Sequence, residues 1–421
     1  MSQPSPAWFQ IANPVARIAK TVTIIGAGIA GCTLAAALKK RGYNVTVIDR
    51  HATAGQEASG NAQGIVYPKL SHRDDLLPRI NLAAIHFASH YYQSFWNSGL
   101  GSQCGVVVVP ENQKIRDDCI LIGERFVDQP GLVEAITREH LEALSGIPLH
   151  AEIALHFPSL GWLPPAQVCQ QLLLDNQIPL LQADVAELQY RESENSWQLL
   201  DDQQQTVAIS ETLVIANAFD CKQFSQTRYL PLRKLRGQIT QLPATAQSSK
   251  IKKVICGEGY ITPATNGSHS CGATYNKDLF TTELREQDHR ANIAQMAATD
   301  SGLAAALGEP DLQQLTGRAN FRCTTSDYLP ISGPVPNIPA MLEDYAALRR
   351  DAKTVIETPG RYLPNLFVNC GMGSRGLSYA PLTAELLACQ IDNQAPPLEP
   401  VLCQAMHPVR FLIRDLKRNR I

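Results

Sequence analysis

The residues best suited to chemistry begin with Gly26-Ala27-Gly28-Ile29-Ala30-Gly31, set in the stretch TVTIIGAGIAGCTLAAALKKRGYNVTVIDR. Asp49 lies 23 positions after Gly26 and is followed by Arg50. This pattern suits a dinucleotide. Gly26 permits a tight turn, Gly28 lets the backbone approach a pyrophosphate, and Gly31 lets the following helix pack on its strand. The helix N-terminus offers N–H groups and the positive end of a dipole to that anion. Asp49 is placed to accept hydrogen bonds from ribose hydroxyls. A glycine-rich turn with no ligand is the alternative reading. The strand, helix, second strand and acid, all in register, weigh against it.

Two further stretches share this character. EASGNAQGIVYPKLS (57–71) contains Ala58, Ser59, Gly60, Asn61, Gln63 and Gly64, which are small or amide-bearing and lack helical or strand periodicity. Its backbone suits phosphate oxygens or the polar edge of an isoalloxazine, and a surface loop remains an equal reading of that segment alone. The motif alone does not decide between NAD and FAD; a donor-rich segment so soon after Asp49 suggests a ligand longer than one nucleotide pocket holds, and an NAD-dependent dehydrogenase stays a rival that the later FAD-like segments weigh against. NLFVNCGMGSRGLSYAPLTAELLACQI reads as a strand at 366–368, a turn through Gly371, Met372, Gly373, Ser374, Arg375 and Gly376, and a helix from about Leu377 to Ile391. Pro381 is tolerable there only in the first turn. A second helix N-terminus after glycines can stabilise negative charge on the N1/O2 edge of a reduced flavin. A purely structural connection is the alternative.

The elements that must position these turns follow from periodicity. Val22, Ile24 and Ile25 predict a short buried strand, Leu34, Ala37 and Leu38 a helix ended by Gly42, and Asn44–Ile48 a second strand. LPPAQVCQQLLLDNQI reads as helical, PLLQADVAELQYRE (179–192) as one or two strands, and 197–218 as a strand, a turn and a last strand. LRGQITQLP, KKVICGEGYITPAT and HSCGATYN alternate as sheet strands turning at Asn266-Gly267, and 283–307 reads as one or two helices. The chain has 421 residues, 44% of them apolar and 18% charged, which describes ordinary globular material. No apolar run approaches a membrane span, and the first residues lack a secretory leader. The eleven cysteines form no CxxC pair, so reduced buried thiols in a cytoplasmic protein are expected and a metal site is not. A formal net charge of −2 excludes a uniformly basic nucleic-acid binder and leaves only local patches.

Taken together, GAGIAG, ASGNAQG, LVIANA (213–218), RGQI (236–239), GYITP…GATY (259–275), RCTTSDYLPISGP (322–334) and GMGSRGL resemble the D-amino-acid-oxidase-like flavoprotein family, which includes glycine and sarcosine oxidases. Within it, ASGNAQGIVYPKLS, GYITP, RCTTSDYLPISGPVPN, GSRGLSYAPLTAELLA and HPVRFLIRDLKR look like the FAD-containing half of the bifunctional tRNA-modifying MnmC family. The resemblance implies an α/β fold: an interrupted Rossmann-like FAD-binding domain (20–90, 160–225 and 360–395) and a mixed-sheet substrate domain (91–159 and 226–359). Residues 1–19 would be an arm or linker and 396–421 a basic tail. It also implies oxidation of 5-carboxymethylaminomethyl-(2-thio)uridine at the tRNA wobble position to the aminomethyl nucleoside and glyoxylate, with O₂ as electron acceptor. The fingerprint starts at residue 26, which leaves no space before it for a methyltransferase domain. Methyl transfer is therefore not expected of this chain, and a methyltransferase partner in trans is possible. A small amino-acid oxidase and a tRNA-binding module with structural FAD are the rival readings.

The same resemblance nominates site residues. Backbone near Val185 would meet the adenine, and Ala216-Asn217 would lie beside the pyrophosphate. Arg322, heading RCTTSD, would bind the substrate carboxylate with its planar fork; a structural Arg322–Asp327 pair is the alternative. Tyr260 and Tyr275 would wall the pocket or remain core tyrosines. Arg375 and Lys69 are flavin-side cations in principle. Cys323 and Cys370 sit where a covalent flavin link is conceivable, but packing is the plainer reading, so non-covalent FAD is expected. Arg410, Arg414, Lys417 and Arg418 recur at helical spacing opposite Phe411, Leu412 and Leu416, which suits a helix that contacts RNA phosphates. On that reading, RNA binding weakens with salt and on removal of 407–421.

Overall fold

The computed structural model describes residues 5–11 and 20–421; the rest of the expected arm lies outside the described residues. The chain divides into two compact units, one of 1–56, 169–233 and 323–421, the other of 57–168 and 234–322. These boundaries differ from the expected domains. Residues 57–90 and 160–168 belong to the second unit, whereas 226–233, 323–359 and the tail 396–421 belong to the first. Pairing partners supply the reason. Gly64–Ile65 pairs with Trp162–Leu163 inside the second unit, and Ile331–Pro336 pairs antiparallel with Tyr362–Cys370 inside the first.

The first unit is built on a six-stranded sheet in the order Ile331–Pro336, Tyr362–Cys370, Leu213–Ile215, Thr21–Ile25, Asn44–Asp49, Leu180–Gln182. All neighbours are parallel except the first pair. Thr21–Ile25 is buried beyond its first residue, as a strand covered on both faces must be. Helix Ile29–Lys40 is buried from Ile29 to Leu38, and its alanines and Gly31 permit close packing. It ends where Gly42 takes a φ of +79°. Segment 197–218 holds one strand more than expected. Ser196–Leu200 and Thr206–Ser210 form a hairpin whose turn is closed by Asp201 Oδ1 accepting from the Gln203 and Gln205 N–H groups, and Leu213–Ile215 then enters the main sheet.

Helix Gly376–Ile391 carries Pro381 at its sixth residue, in the second turn rather than the first. The missing N–H leaves the Leu377 carbonyl without its i+4 donor. The helix persists because Leu377 through Ala384 are all buried by packing.

The second unit is built on an eight-stranded sheet ordered Thr316–Thr324, Arg233–Pro243, Ser268–Gly272, Tyr260–Ile261, Val254–Cys256, Val106–Val108, Ile153–Phe157, Glu134–Thr137. The Asn266-Gly267 turn has φ of +52° and +78°, the left-handed pair that a tight hairpin needs. Segment 283–307 forms two helices, Glu286–Thr299 and Ser301–Leu307, with Asp300 capping the second through the Gly302 N–H.

Candidate functional site

In the first unit, the parallel strands end at the same edge of the sheet, where a ligand crevice forms in doubly wound folds. Gly26 follows Thr21–Ile25 with φ +109°, and a Cβ there would lie 2.7 Å from the Ala216 carbonyl carbon. A Cβ on Gly31 would lie 1.9 Å from the Gly26 carbonyl oxygen. These two contacts permit no side chain, so the fingerprint turn and Ala216-Asn217 are pressed together. The Asn217 Oδ1 is buried without a hydrogen-bond partner. Asp49 braces the turn: its Oδ2 accepts from the Ala27 N–H at 2.7 Å and its Oδ1 from the His51 N–H at 2.9 Å. Each oxygen keeps lone-pair capacity for a ribose hydroxyl. Arg50 is taken by Asp220 at 3.0 Å and Asp184 at 3.6 Å.

The fingerprint helix and helix Gly376–Ile391 lie side by side and parallel. Ile29 meets Gly376, Thr33 Oγ1 reaches the Ala380 carbonyl at 3.4 Å, and Arg41 pairs with Glu385 at 2.5 Å. Their N-termini therefore share one end. Neither has a capping side chain or an acidic residue in its first turn. Two aligned dipoles whose first turns carry no acidic residue favour a bound anion. Gly371 and Gly373, at φ +75° and +59°, shape the turn before the second helix, and the Gly373 N–H donates to the Cys323 carbonyl. Met372 and Leu377 are buried, Ser374 is exposed, and Arg375 Nη1 donates to the Tyr379 hydroxyl at 3.1 Å. The Val185 carbonyl accepts from Gln223 Nε2 at 2.6 Å, and its side chain is in the core. The cradle and the helix ends without a side-chain cap fit an FAD pyrophosphate, and the orphaned Asn217 oxygen suits a hydroxyl or N–H donor of the same ligand. Cys323 is driven well above the usual thiol range by burial. Cys370 is driven up by a hydrogen bond with Cys221 and by burial. Neither is an available thiolate for a covalent link.

In the second unit, 57–64 is tied down. The Gly60 N–H donates to the Glu57 carbonyl, and a Cβ on Gly60 would lie 2.4 Å from the Arg318 guanidinium carbon. The buried Gln63 amide is spent within the protein. Its Nε2 donates to the Pro263 carbonyl and Thr265 Oγ1, and its Oε1 accepts from Thr262 Oγ1. Gln63 is thus a brace, and any ligand contact from this stretch falls to its backbone and to Ala58, Ser59, Asn61 and Gly64.

Arg322, Tyr260 and Tyr275 come together in this unit. The Arg322 guanidinium lies 4.4 Å from the Tyr275 ring centroid, and its Nη1 donates to the Thr274 carbonyl at 2.9 Å. It fills the notch left by Gly237, where a Cβ would lie 2.2 Å from Nη1. Tyr260 pairs with Cys256 and Gly272 in the sheet. Burial pushes its hydroxyl far above the usual range, outweighing the opposing Arg322 charge, so it is a neutral hydrogen-bonding group. In the first unit, the Asp327 carboxylate is held by Arg410. Sequence reasoning gave no separate role to Gly237 and counted Arg236 among the positive charges of RKLRG (233–237) that would help hold RNA, which its burial contradicts. Arg236 is fully buried against Asp288 at 2.6 Å and donates to the Thr281 and Glu283 carbonyls, which fixes the loop after Tyr275. The adjacent Arg-Gly pair in RGQI was the available signal.

The C-terminal segment departs from the expected tail. Helix Val409–Lys417 buries Val409, Phe411, Leu412, Ile413 and Leu416 in the first unit's cores. Arg410 is only 11% exposed. It donates to Asp327 through Nε and Nη2 and to the Leu329, Met406 and His407 carbonyls. Its donors are filled, so Arg410 is a structural clamp and not a phosphate contact. Arg414 is held by Asp415 and Ser326, and Lys417 lies over the Trp8 ring. Lys417 and Arg418 remain exposed. Removing 407–421 would therefore strip core as well as charge, so weaker RNA binding on that removal would not by itself report a phosphate contact.

The fold and cradle define a flavin-dependent oxidoreductase. Residues 21–390 match the family described as FAD dependent oxidoreductase, and the chain belongs to that family. It is 37% identical over 98% of its length to the tRNA 5-methylaminomethyl-2-thiouridine biosynthesis bifunctional protein MnmC of Pseudomonas syringae pv. tomato, covering 62% of that protein. It is 38% identical over 99% of its length to the protein of the same name from Pseudomonas putida, covering 63% of it. The chain thus spans less than two thirds of these relatives. Among solved structures it resembles glycine oxidase from Geobacillus kaustophilus (TM-score 0.71, 17% identity, 92% of this chain and 98% of that one). It also resembles fructosamine oxidase from Aspergillus fumigatus (TM-score 0.70, 14% identity, 97% and 92%). At such identities these likenesses establish the fold. Among the described residues no helix is long and apolar enough to cross a membrane.

Proposed function

We propose that this FAD-dependent oxidoreductase removes the carboxymethyl group from 5-carboxymethylaminomethyl-(2-thio)uridine at the tRNA wobble position. The secondary amine, water and O₂ give the primary amine, glyoxylate and H₂O₂. The substrate class is supported by the relatives named for tRNA 5-methylaminomethyl-2-thiouridine biosynthesis, which match nearly the whole chain. The observation that carries the chemistry is the Arg322 cluster. One hydrogen bond to Thr274 and the Tyr275 ring aim a guanidinium whose remaining donors suit a carboxylate.

When bound, FAD supplies the two-electron oxidation of the C–N bond and passes the electrons to O₂. The fingerprint turn, Ala216-Asn217 and the paired helix ends would hold its pyrophosphate, with Asp49 on a ribose and Arg375 among the flavin-side groups. Binding is non-covalent, since Cys323 and Cys370 are buried thiols. Arg322 takes the glycine-like carboxylate in two-point fashion and so orients the adjacent carbon. Tyr260 contributes a neutral hydroxyl, and Tyr275 holds the guanidinium plane. Lys417 and Arg418, with Arg414 beside them, would contact RNA phosphates.

The test is mass spectrometry of nucleosides from hypomodified tRNA incubated with the purified protein. Loss of the carboxymethylated nucleoside with gain of the aminomethyl one is expected. Fast turnover of glycine or sarcosine with untouched tRNA would instead assign a small amino-acid oxidase.

A further inference from the structure

The turn Thr325–Leu329 bears an exposed aromatic residue that the oxidation chemistry does not use. Tyr328 is 70% exposed and has a φ of +62°. A bulky side chain in the left-handed region is a strained arrangement, found where the surroundings over-determine it. Here they do. Arg410 holds Asp327 at 2.9 and 3.1 Å and the Leu329 carbonyl at 3.0 Å. Thr325 Oγ1 donates to the Leu329 carbonyl at 2.8 Å, and Arg414 Nη1 donates to Ser326 Oγ at 2.9 Å. The other polar side chains of the turn, Thr325, Ser326 and Asp327, are thus hydrogen-bonded within the protein, and the Tyr328 ring is left in solvent.

The cations beside it say what would cover that ring. Arg414 touches the turn, and Arg418 follows one helical turn later on the same face. Lys417 and Arg420 are exposed close by in sequence, with Asp415 already engaged by Arg414. An exposed aromatic plane flanked by cations is how unpaired nucleotides are held, the ring stacking a base and the cations meeting phosphates.

We infer that Tyr328 is a stacking platform for an unpaired base of the RNA substrate, displayed by the Arg410–Asp327 clamp beside a phosphate-binding Arg418–Lys417 edge. This rests on the tRNA reading above and adds to it the surface that grips the loop. Arg410, expected at the phosphates, instead acts through Tyr328 as a positioning residue.

The test compares Tyr328→Gly and Tyr328→Phe in the FAD-loaded full chain, by fluorescence anisotropy with an unmodified anticodon stem-loop and with a blunt RNA duplex. Glycine is at ease at φ +62°, so Tyr328→Gly relieves strain and folds. Its melting temperature and flavin content should match or exceed those of the parent. Its affinity for the stem-loop should fall about tenfold, with the duplex unaffected. Tyr328→Phe should bind as the parent does. The platform is overturned if Tyr328→Gly binds the stem-loop within twofold of the parent, or if Tyr328→Phe loses as much. It is overturned equally if the ring proves to seat a second copy of the chain, seen as a dimer in sedimentation that Tyr328→Gly dissolves. A parent protein that ignores the stem-loop removes the tRNA reading itself, an outcome separate from the others.

Discussion

Gly237→Ala isolates the carboxylate site from the fold. The added Cβ would lie 2.2 Å from Arg322 Nη1, 2.4 Å from Cζ and 2.5 Å from Nη2. Gly237 has no left-handed φ, so alanine meets no backbone penalty there. The obstacle is the far end of a flexible side chain, which moves more cheaply than backbone. To reach ordinary contact the guanidinium must retreat by about 1 Å, and a misplacement of that size costs on the order of 100-fold in turnover. The retreat breaks the 2.9 Å bond to the Thr274 carbonyl and shifts the cation from its 4.4 Å seat over Tyr275. Those losses are worth roughly 1.5–3 kcal/mol for a charge-assisted hydrogen bond and about 0.5–1 kcal/mol for an exposed cation–π contact. Steady-state oxygen consumption with carboxymethylaminomethyl-bearing tRNA should show kcat/KM lowered by one to two orders of magnitude, while the flavin-to-protein absorbance ratio stays close to the parent's. Arg322→Lys should behave alike, since an ammonium lacks the fork. Turnover of Gly237→Ala within twofold of the parent would refute the assignment of Arg322, and so would equal loss of flavin and activity.

Gly31→Ala should impair the other end of the chemistry. Its Cβ would meet the Gly26 carbonyl oxygen at 1.9 Å, a backbone atom with no room to yield, so purified protein should be largely flavin-free and destabilised by about 1–3 kcal/mol; full flavin content would contradict the cradle. Acid should weaken the fold through two buried histidines. Burial, with nearby positive charge, lowers His407 from 6.5 to about 3 and His156 to about 4. Both are neutral when folded, and the unfolded chain protonates below about pH 6.5, so their stability contribution is whole above that pH and lost as pH falls toward the folded values. Each should cost about 2 kcal/mol at pH 5, and His407→Gln should flatten the fall in urea midpoint between pH 7.5 and 5; unchanged steepness would count against it. Arg410→Met should destabilise by about 1–3 kcal/mol by leaving Asp327 unpaired, and adding Asp327→Asn should recover part of that in a double-mutant cycle. Additive losses would show that the pair does not hold the turn.

The dinucleotide end was legible because its constraints are local. Gly26 and Gly31 are demanded by contacts within a few residues or across one strand, and helix Ile29–Lys40 follows from spacing. The alternation of 260–272 likewise announced its hairpin. Domain boundaries were less legible. ASGNAQG follows the fingerprint in sequence, yet its amide and glycine are fixed by Pro263, Thr265 and Arg318, partners some two hundred residues or more away. Composition alone could not apportion the arginines. Arg410, Arg414 and Arg418 share one periodicity, but Arg410 is clamped on Asp327 and Arg418 stays in solvent. A charge's role depends on which opposite charge the fold brings within about 3 Å, and the Arg410–Asp327 pairing joins residues 83 positions apart. The sequence by itself determined the glycine turn after the first strand, the strands and helix beside it, and the family. Tertiary structure alone decided that Arg322 sits against Gly237, that Arg236 is a buried clamp, and that Tyr328 is displayed, because each rests on contacts between segments distant in the chain.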